Sequence, residues 1–194
     1  MNRPIMNVQL RNLLVLLLLA FTFSGALADD YADTVKVFQK AGESGQFFGK
    51  SYGYALFPTI GKGGIGVGGA HGSGRVYAKG AHTGDASMTQ LTIGLQFGGQ
   101  AYSQIIFFED KRAFDEFTSG NFEFSAQAAA VAITAGASVQ AGTTGPSATA
   151  SGTRDHAKYR GRYYKGMAVF TVAKGGLMYE ATIGGQKFEY SAKK

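Results

Sequence analysis

The sequence predicts an α+β protein: a strongly curved, mostly antiparallel sheet with a helix at its N-terminal side and a short helix in the middle. Three observations carry that expectation. Apolar residues recur at intervals of two over much of the chain beyond residue 50, as they do along strands. Glycine supplies 29 of the 194 residues, many inside those strands, where it is costly unless the backbone kinks, bulges or is closely approached. Helical spacing is confined to two short windows.

The chain opens on a leader pattern. Arg3 and Arg11 are basic, Leu13 to Phe23 is apolar, and Ala26-Leu27-Ala28 offers small residues where a signal peptidase reads them. The apolar run is too short to span a bilayer comfortably. Cleavage is expected after Ala28, which divides the chain into a 1–28 signal peptide and a single 29–194 domain. Removing 28 of 194 residues leaves 166, enough for one buried core. The formal charge then falls from +6 to +4, since Arg3 and Arg11 leave with the leader. There is no cysteine, hence no disulfide and no thiolate metal site. An exported chain of this kind must rest on its core. Its basic balance favours anionic partners, and export points to acidic lipid headgroups or surface polymers rather than nucleic acid.

Asp29 to Gly45 reads as a helix. Tyr31, Val35 and Phe38 recur at i, i+4 and i+7, Asp29, Asp30 and Asp33 suit its positive end, and Lys40 suits the other. Tyr52 to Phe57 is a strand. Gly63 to Gly69 and Arg75 to Lys79 are expected to pair as a hairpin around His71-Gly72-Ser73-Gly74. Leu91, Ile93, Leu95 and Phe97 alternate with Thr92, Gly94 and Gln96, marking a strand with one buried face. Ile105-Ile106-Phe107-Phe108 is apolar throughout, as in a strand covered on both faces. Asp110 to Thr118 is a short helix with Phe114 and Phe117 on one face. Phe122 to Gln140 is rich in alanine, a helix former. Its β-branched residues favour two strands with a bend. Gly142 to Lys158 is loop, and strands resume at Met167 to Val172, Leu177 to Ile183 and Lys187 to Tyr190, with turns at Gly175-Gly176 and Gly184-Gly185.

Two passages echo each other. Gly53-Tyr54-Ala55-Leu56-Phe57 is followed by Lys62-Gly63-Gly64-Ile65, and Gly166-Met167-Ala168-Val169-Phe170 by Lys174-Gly175-Gly176-Leu177. The pattern suggests two related β-hairpins.

The run from Gly53 through Gly74 (GYALFPTIGKGGIGVGGAHGSG) resembles the opening signature of SYLF domains, the Ysc-type actin-binding family. Thr89 to Ser103 and Lys174 to Gly185 resemble later family motifs, so the similarity covers roughly Asp30 to Tyr190 in order. The resemblance implies lipid binding: eukaryotic members bind phosphoinositides, partly through an N-terminal amphipathic helix, and some yeast members bind actin. It implies no cofactor and no catalysis. This chain departs from the eukaryotic pattern in its leader, which puts actin and phosphoinositides in doubt and leaves affinity for anionic lipid.

Other motifs carry less. Gly61-Lys62-Gly63-Gly64-Ile65-Gly66 fits G-x-G-x-x-G, with Asp85 beyond it, but a dinucleotide site needs a helix opening there and the glycines disfavour one. His71, His82 and His156 lack ligand-like spacing, and no nucleophile–base or paired-carboxylate arrangement stands out. The strongest binding candidate is Lys158, Tyr159, Arg160, Arg162, Tyr163, Tyr164 and Lys165, where cations and tyrosines interleave. Tyrosine suits a membrane interface, with its ring among apolar groups and its hydroxyl wet. An edge strand guarded by charge produces the same pattern. The second candidate is Lys36 and Lys40 beside the helix's apolar stripe, an arrangement that serves an interfacial helix or one docked on the sheet.

The expectation is therefore an exported, periplasmic, non-enzymatic protein that associates with an anionic phospholipid or membrane surface. An envelope interaction module without lipid, or an outer-membrane β-barrel, are the alternatives.

Overall fold

A computed structural model of the protein describes residues 23–94, 99–125, 128, 130–133, 162–174 and 183–194. The helices are α1 (Phe23–Lys40), α2 (Gly42–Gly45) and α3 (Lys111–Phe117). The strands are β1 (Gly53–Ala78), β2 (Ala81–Gly94), β3 (Gly99–Phe108), β4 (Asn121–Glu123), β5 (Val131–Ile133), β6 (Met167–Lys174) and β7 (Gln186–Ala192). They form one open sheet in the order β4-β7-β2-β1-β3-β6-β5. All the pairings are antiparallel except β5 with β6. This is the α+β architecture expected, and its described strands do not close into a barrel.

The glycine-dense passage explains the curvature. The first half of β1 pairs with β3 and the second half with β2. The two halves also lie side by side, running in opposite directions: the Tyr54 and Tyr77 rings stack at 4.9 Å, and Lys79 N donates to Tyr52 O at 3.0 Å. A Cβ on Gly74 would collide with Leu56 O and the Phe57 ring, each 2.6 Å away, so only glycine allows this approach. The chain doubles back near Gly64 and Gly68, whose backbones touch. The turn expected at His71–Gly74 is not there; those residues run straight along β2, opposite Thr89 to Ala86. The pattern of two was right, but in so glycine-rich a run it did not mark where the direction reverses.

A buried amide pair shows how far the sheet curls. Because both halves of β1 lie between them, Gln104 on β3 and Gln186 on β7 are four strand steps apart, roughly 19 Å in a flat sheet. Yet Gln104 Nε2 donates to Gln186 Oε1 at 2.9 Å, and Gln186 Nε2 donates back to Gln104 Oε1 and to Tyr102 Oη, both at 3.1 Å. The concave side so formed holds Phe57, Ile60, Met88, Ile106, Phe108 and Phe188. Burial pushes the Tyr102 phenol up to about 12, its hydrogen bond from Gln186 opposing the shift.

The helices cover both sides. α3 caps the concave side: the Asp110 carboxylate accepts from Ala113 N at 2.8 Å, an N-cap, and Phe117 packs against Phe108 and Phe188 at 5.0 and 5.1 Å. On the convex side Phe38 of α1 and Phe47 beyond α2 pack on Leu56, Ile105, Phe107 and Phe170. The Ile105–Phe108 run thus serves both cores, as its continuity predicted. The N-terminal helix comes in two pieces, because Ala41 turns extended (φ −75°, ψ 120°) and Ser44 Oγ bonds Phe38 O at 2.6 Å.

Three sequence readings need adjustment. Leu91 does not face the core; it is 85% exposed, because Ala86 and Met88 take the concave side of β2 and the period of two sends Leu91 outward. The alanine-rich region supplies only the short strands β4 and β5 among the described residues. In the echo, the first copy does turn back after its Lys-Gly-Gly, whereas Gly175, Gly176 and Leu177 lie outside the described residues. The leading strands of the two copies flank β3 but are offset by one residue, Phe57 opposite Gln104 and Phe170 opposite Ile105, so equivalent side chains face opposite sides of the sheet.

Candidate functional site

Strand direction gathers the basic residues. Gly53 and Met167 both pair with Phe108, Ala78 pairs with Ala81, and Gly84 pairs with Ala192. Both ends of β1, the starts of β2 and β6 and the finishes of β3 and β7 therefore lie at one end of the sheet. That end carries Lys50, Lys79, Arg162, Lys165, Lys193 and Lys194, all exposed, and none forms an ion pair among the described residues. Lys111 and Arg112 of α3 stand nearby but are paired, with Asp115 at 2.6 Å and Glu116 at 3.4 Å.

Two hairpin turns build this end in the same way. Lys79-Gly80 joins β1 to β2, and Lys165-Gly166 joins Tyr164 to Met167, which exchange hydrogen bonds of 2.8 and 3.0 Å. Each turn has positive φ at both central residues: 51° and 82° in the first, 51° and 81° in the second. Such turns favour Asn-Gly, because a side chain other than Asn or Asp is strained there. Each lysine ammonium stands near a tyrosine ring, Lys79 at 5.5 Å from Tyr52 and Lys165 at 5.7 Å from Tyr164. Glycine suits position 166 because of its φ of 81°; a Cβ there would also crowd Ala113 Cβ at 3.0 Å and push aside the end of the exposed Arg112 side chain.

Of the sequence candidates, Arg162, Tyr164 and Lys165 reach this surface, with Tyr164 38% exposed. Lys158, Tyr159 and Arg160 lie outside the described residues. Tyr163 turns inward: its ring meets Phe47 edge-on at 5.1 Å and its hydroxyl shares a 2.7 Å hydrogen bond with Ser51. Burial raises its pKa, against the pull of Ser51. Adjacent side chains thus part here, Tyr164 to the surface and Tyr163 to a half-buried place against Phe47. Lys36 and Lys40 are exposed on α1, and Lys36 is paired with Asp33 at 2.8 Å. The stripe beside them faces the sheet, with Phe38 fully buried and Arg75 stacked 4.2 Å above Tyr31, so α1 is docked. The G-x-G-x-x-G run lies within β1, with no helix opening from it. Sequence reasoning missed Lys50, Lys79, Lys193 and Lys194; for Lys79 the signal was the Lys-Gly dipeptide that recurs at Lys165-Gly166 between apolar segments.

Beside Arg162 and Lys165 opens a cavity of about 130 Å³ between β6 and the segment after β4, walled by Phe124, Ala128, Val169 and Ile183. Lys50, Glu109 and Arg162 line a wider cleft of about 380 Å³, together with Gln46, Phe47 and Tyr163.

Residues 89–192 match the model of the family described as Ysc84, Las17-binding protein actin regulator. The chain is also 30% identical over 163 residues to beta cell expansion factor A of Aeromonas veronii, covering 81% of this chain and 53% of that protein. It thus spans about half the length of that curated relative. The family match covers more than half of the chain, from Thr89 within β2 to the end of β7 and including the turn that carries Lys165, and on that ground the chain belongs to the Ysc84, or SYLF, family.

Proposed function

We propose that this protein is an exported, periplasmic, non-enzymatic lipid-binding protein that sets the basic end of its sheet against anionic phospholipid. One observation carries the reading. Six exposed cations, Lys50, Lys79, Arg162, Lys165, Lys193 and Lys194, share one end without ion-pair partners among the described residues. Each cation near an acidic leaflet contributes about 1 kcal/mol, so six together make a useful affinity that salt would screen. Exposed Tyr164 sits among them with an amphipathic ring suited to the headgroup layer. Family membership supports a binding role.

Co-sedimentation with vesicles tests this. The protein should pellet with phosphatidylcholine vesicles containing phosphatidylglycerol, remain in solution with phosphatidylcholine alone, and be released by high salt. No association with acidic vesicles at low ionic strength ends the proposal.

The family description favours one further reading, a protein-interaction module. In that case the same end would hold an acidic protein partner, and acidic vesicles would not compete for it.

A further inference from the structure

We infer that the cavity beside Arg162 and Lys165 is a binding site for one small anionic amphiphile, a carboxylate on a short chain or single ring. The walls and mouth differ in character. Phe124, Ala128, Val169 and Ile183 are buried, whereas Arg162 and Lys165 are exposed. An apolar group can therefore enter while its charge stays at the mouth. A cavity of about 150 Å³ takes a benzene ring; this one, at about 130 Å³, takes a tail of about that bulk.

Charge decides the head. Two carboxylates, Glu116 and Glu123, also line the cavity. Each has a cation elsewhere: Arg112 reaches Glu116 at 3.4 Å and Lys187 reaches Glu123 at 3.8 Å. Arg162 and Lys165 have no ion pair among the described residues, so the free charge at the mouth is positive. The left-handed turn that leads into β6 sets where the Lys165 side chain leaves the backbone, and its ammonium stands 5.7 Å from the Tyr164 ring.

This inference shares its two cations with the lipid-surface reading but needs the cavity as well, and the test separates the two. Ligand-observed NMR would follow hexanoate and hexanol with the wild-type chain and with Val169→Phe and Ala128→Leu, either of which fills the space. Folding of each variant is checked by circular dichroism. Hexanoate should bind the wild type at least fivefold more tightly than hexanol, and a folded cavity-filling variant should lose it tenfold or more while still pelleting with acidic vesicles. Arg162→Glu with Lys165→Glu should weaken hexanoate at least fivefold. Equal binding of hexanol overturns the inference, as does hexanoate binding that survives a filled cavity. Failure to bind hexanoate with vesicle binding intact overturns it and leaves the surface reading standing. Loss of both in the wild type removes both.

Discussion

Lys79 and Lys165 occupy backbone conformations that asparagine or glycine would hold with less strain, at φ 51° in each case. A left-handed residue other than glycine or asparagine costs about 1 kcal/mol or more. If charge is the reason for lysine there, Lys79→Asn and Lys165→Asn should each raise the urea midpoint slightly while lowering affinity for acidic vesicles. A fall in stability would assign the lysines a structural part instead. Gly166→Ala should act in the opposite direction, losing about 1–3 kcal/mol in urea titration, because it puts a side chain at positive φ and close to Ala113. Tyr102 adds a pH dependence. Its phenol titrates at about 12 when folded and near 10 when unfolded. The folded state therefore keeps a proton that the unfolded chain gives up, and stability should be complete below pH 10 and decline from there towards 12. Urea midpoints across that range, compared with Tyr102→Phe, measure it; an equal decline in the variant would remove Tyr102 as the cause.

Among the elements, α1 is held by its apolar stripe. Phe38→Ala should cost about 3–5 kcal/mol, since a fully buried aromatic leaves a void that neighbours fill only in part. Thermal melting of the variant should show that loss, and an unchanged melt would return the helix to the membrane-facing role. The helices and most of the strands could be read from the sequence because each has a periodicity or a cap: Tyr31, Val35 and Phe38 for α1, Asp110 for α3, the double-sided Ile105–Phe108 run for β3. β1 could not. Its reversal depends on glycines that let two halves approach, and absence of a side chain has no periodicity to detect. Leu91 misled for a related reason, since alternation gives two faces and only the neighbouring strands decide which is buried. The candidate site was half legible. Arg162, Tyr164 and Lys165 are contiguous in sequence, but Lys50, Lys79, Lys193 and Lys194 reach the same end only through strand pairing.

At the scale of the molecule, charge and topology are aligned. The strands deliver their turns and terminus to one end, so that end is basic even though the whole chain is only modestly so. Simultaneous reversal of Lys50, Lys79, Arg162 and Lys165 to Glu should abolish vesicle sedimentation at low salt, whereas Lys62→Glu with Lys174→Glu, at the opposite end of the sheet beside the reversal of β1 and the finish of β6, should change it less than twofold. Similar losses in the two variants would mean that net charge alone matters.

The two outermost strands, β4 and β5, are three residues long, and the sheet between them is rolled on the Gln104–Gln186 clasp. An unfinished strand is a template on which a neighbouring chain can add, and a protein concentrated on a surface meets its neighbours often. Among the described residues β4 and β5 each offer such a neighbour only three residues of backbone, so an added strand would find little ladder to extend on either.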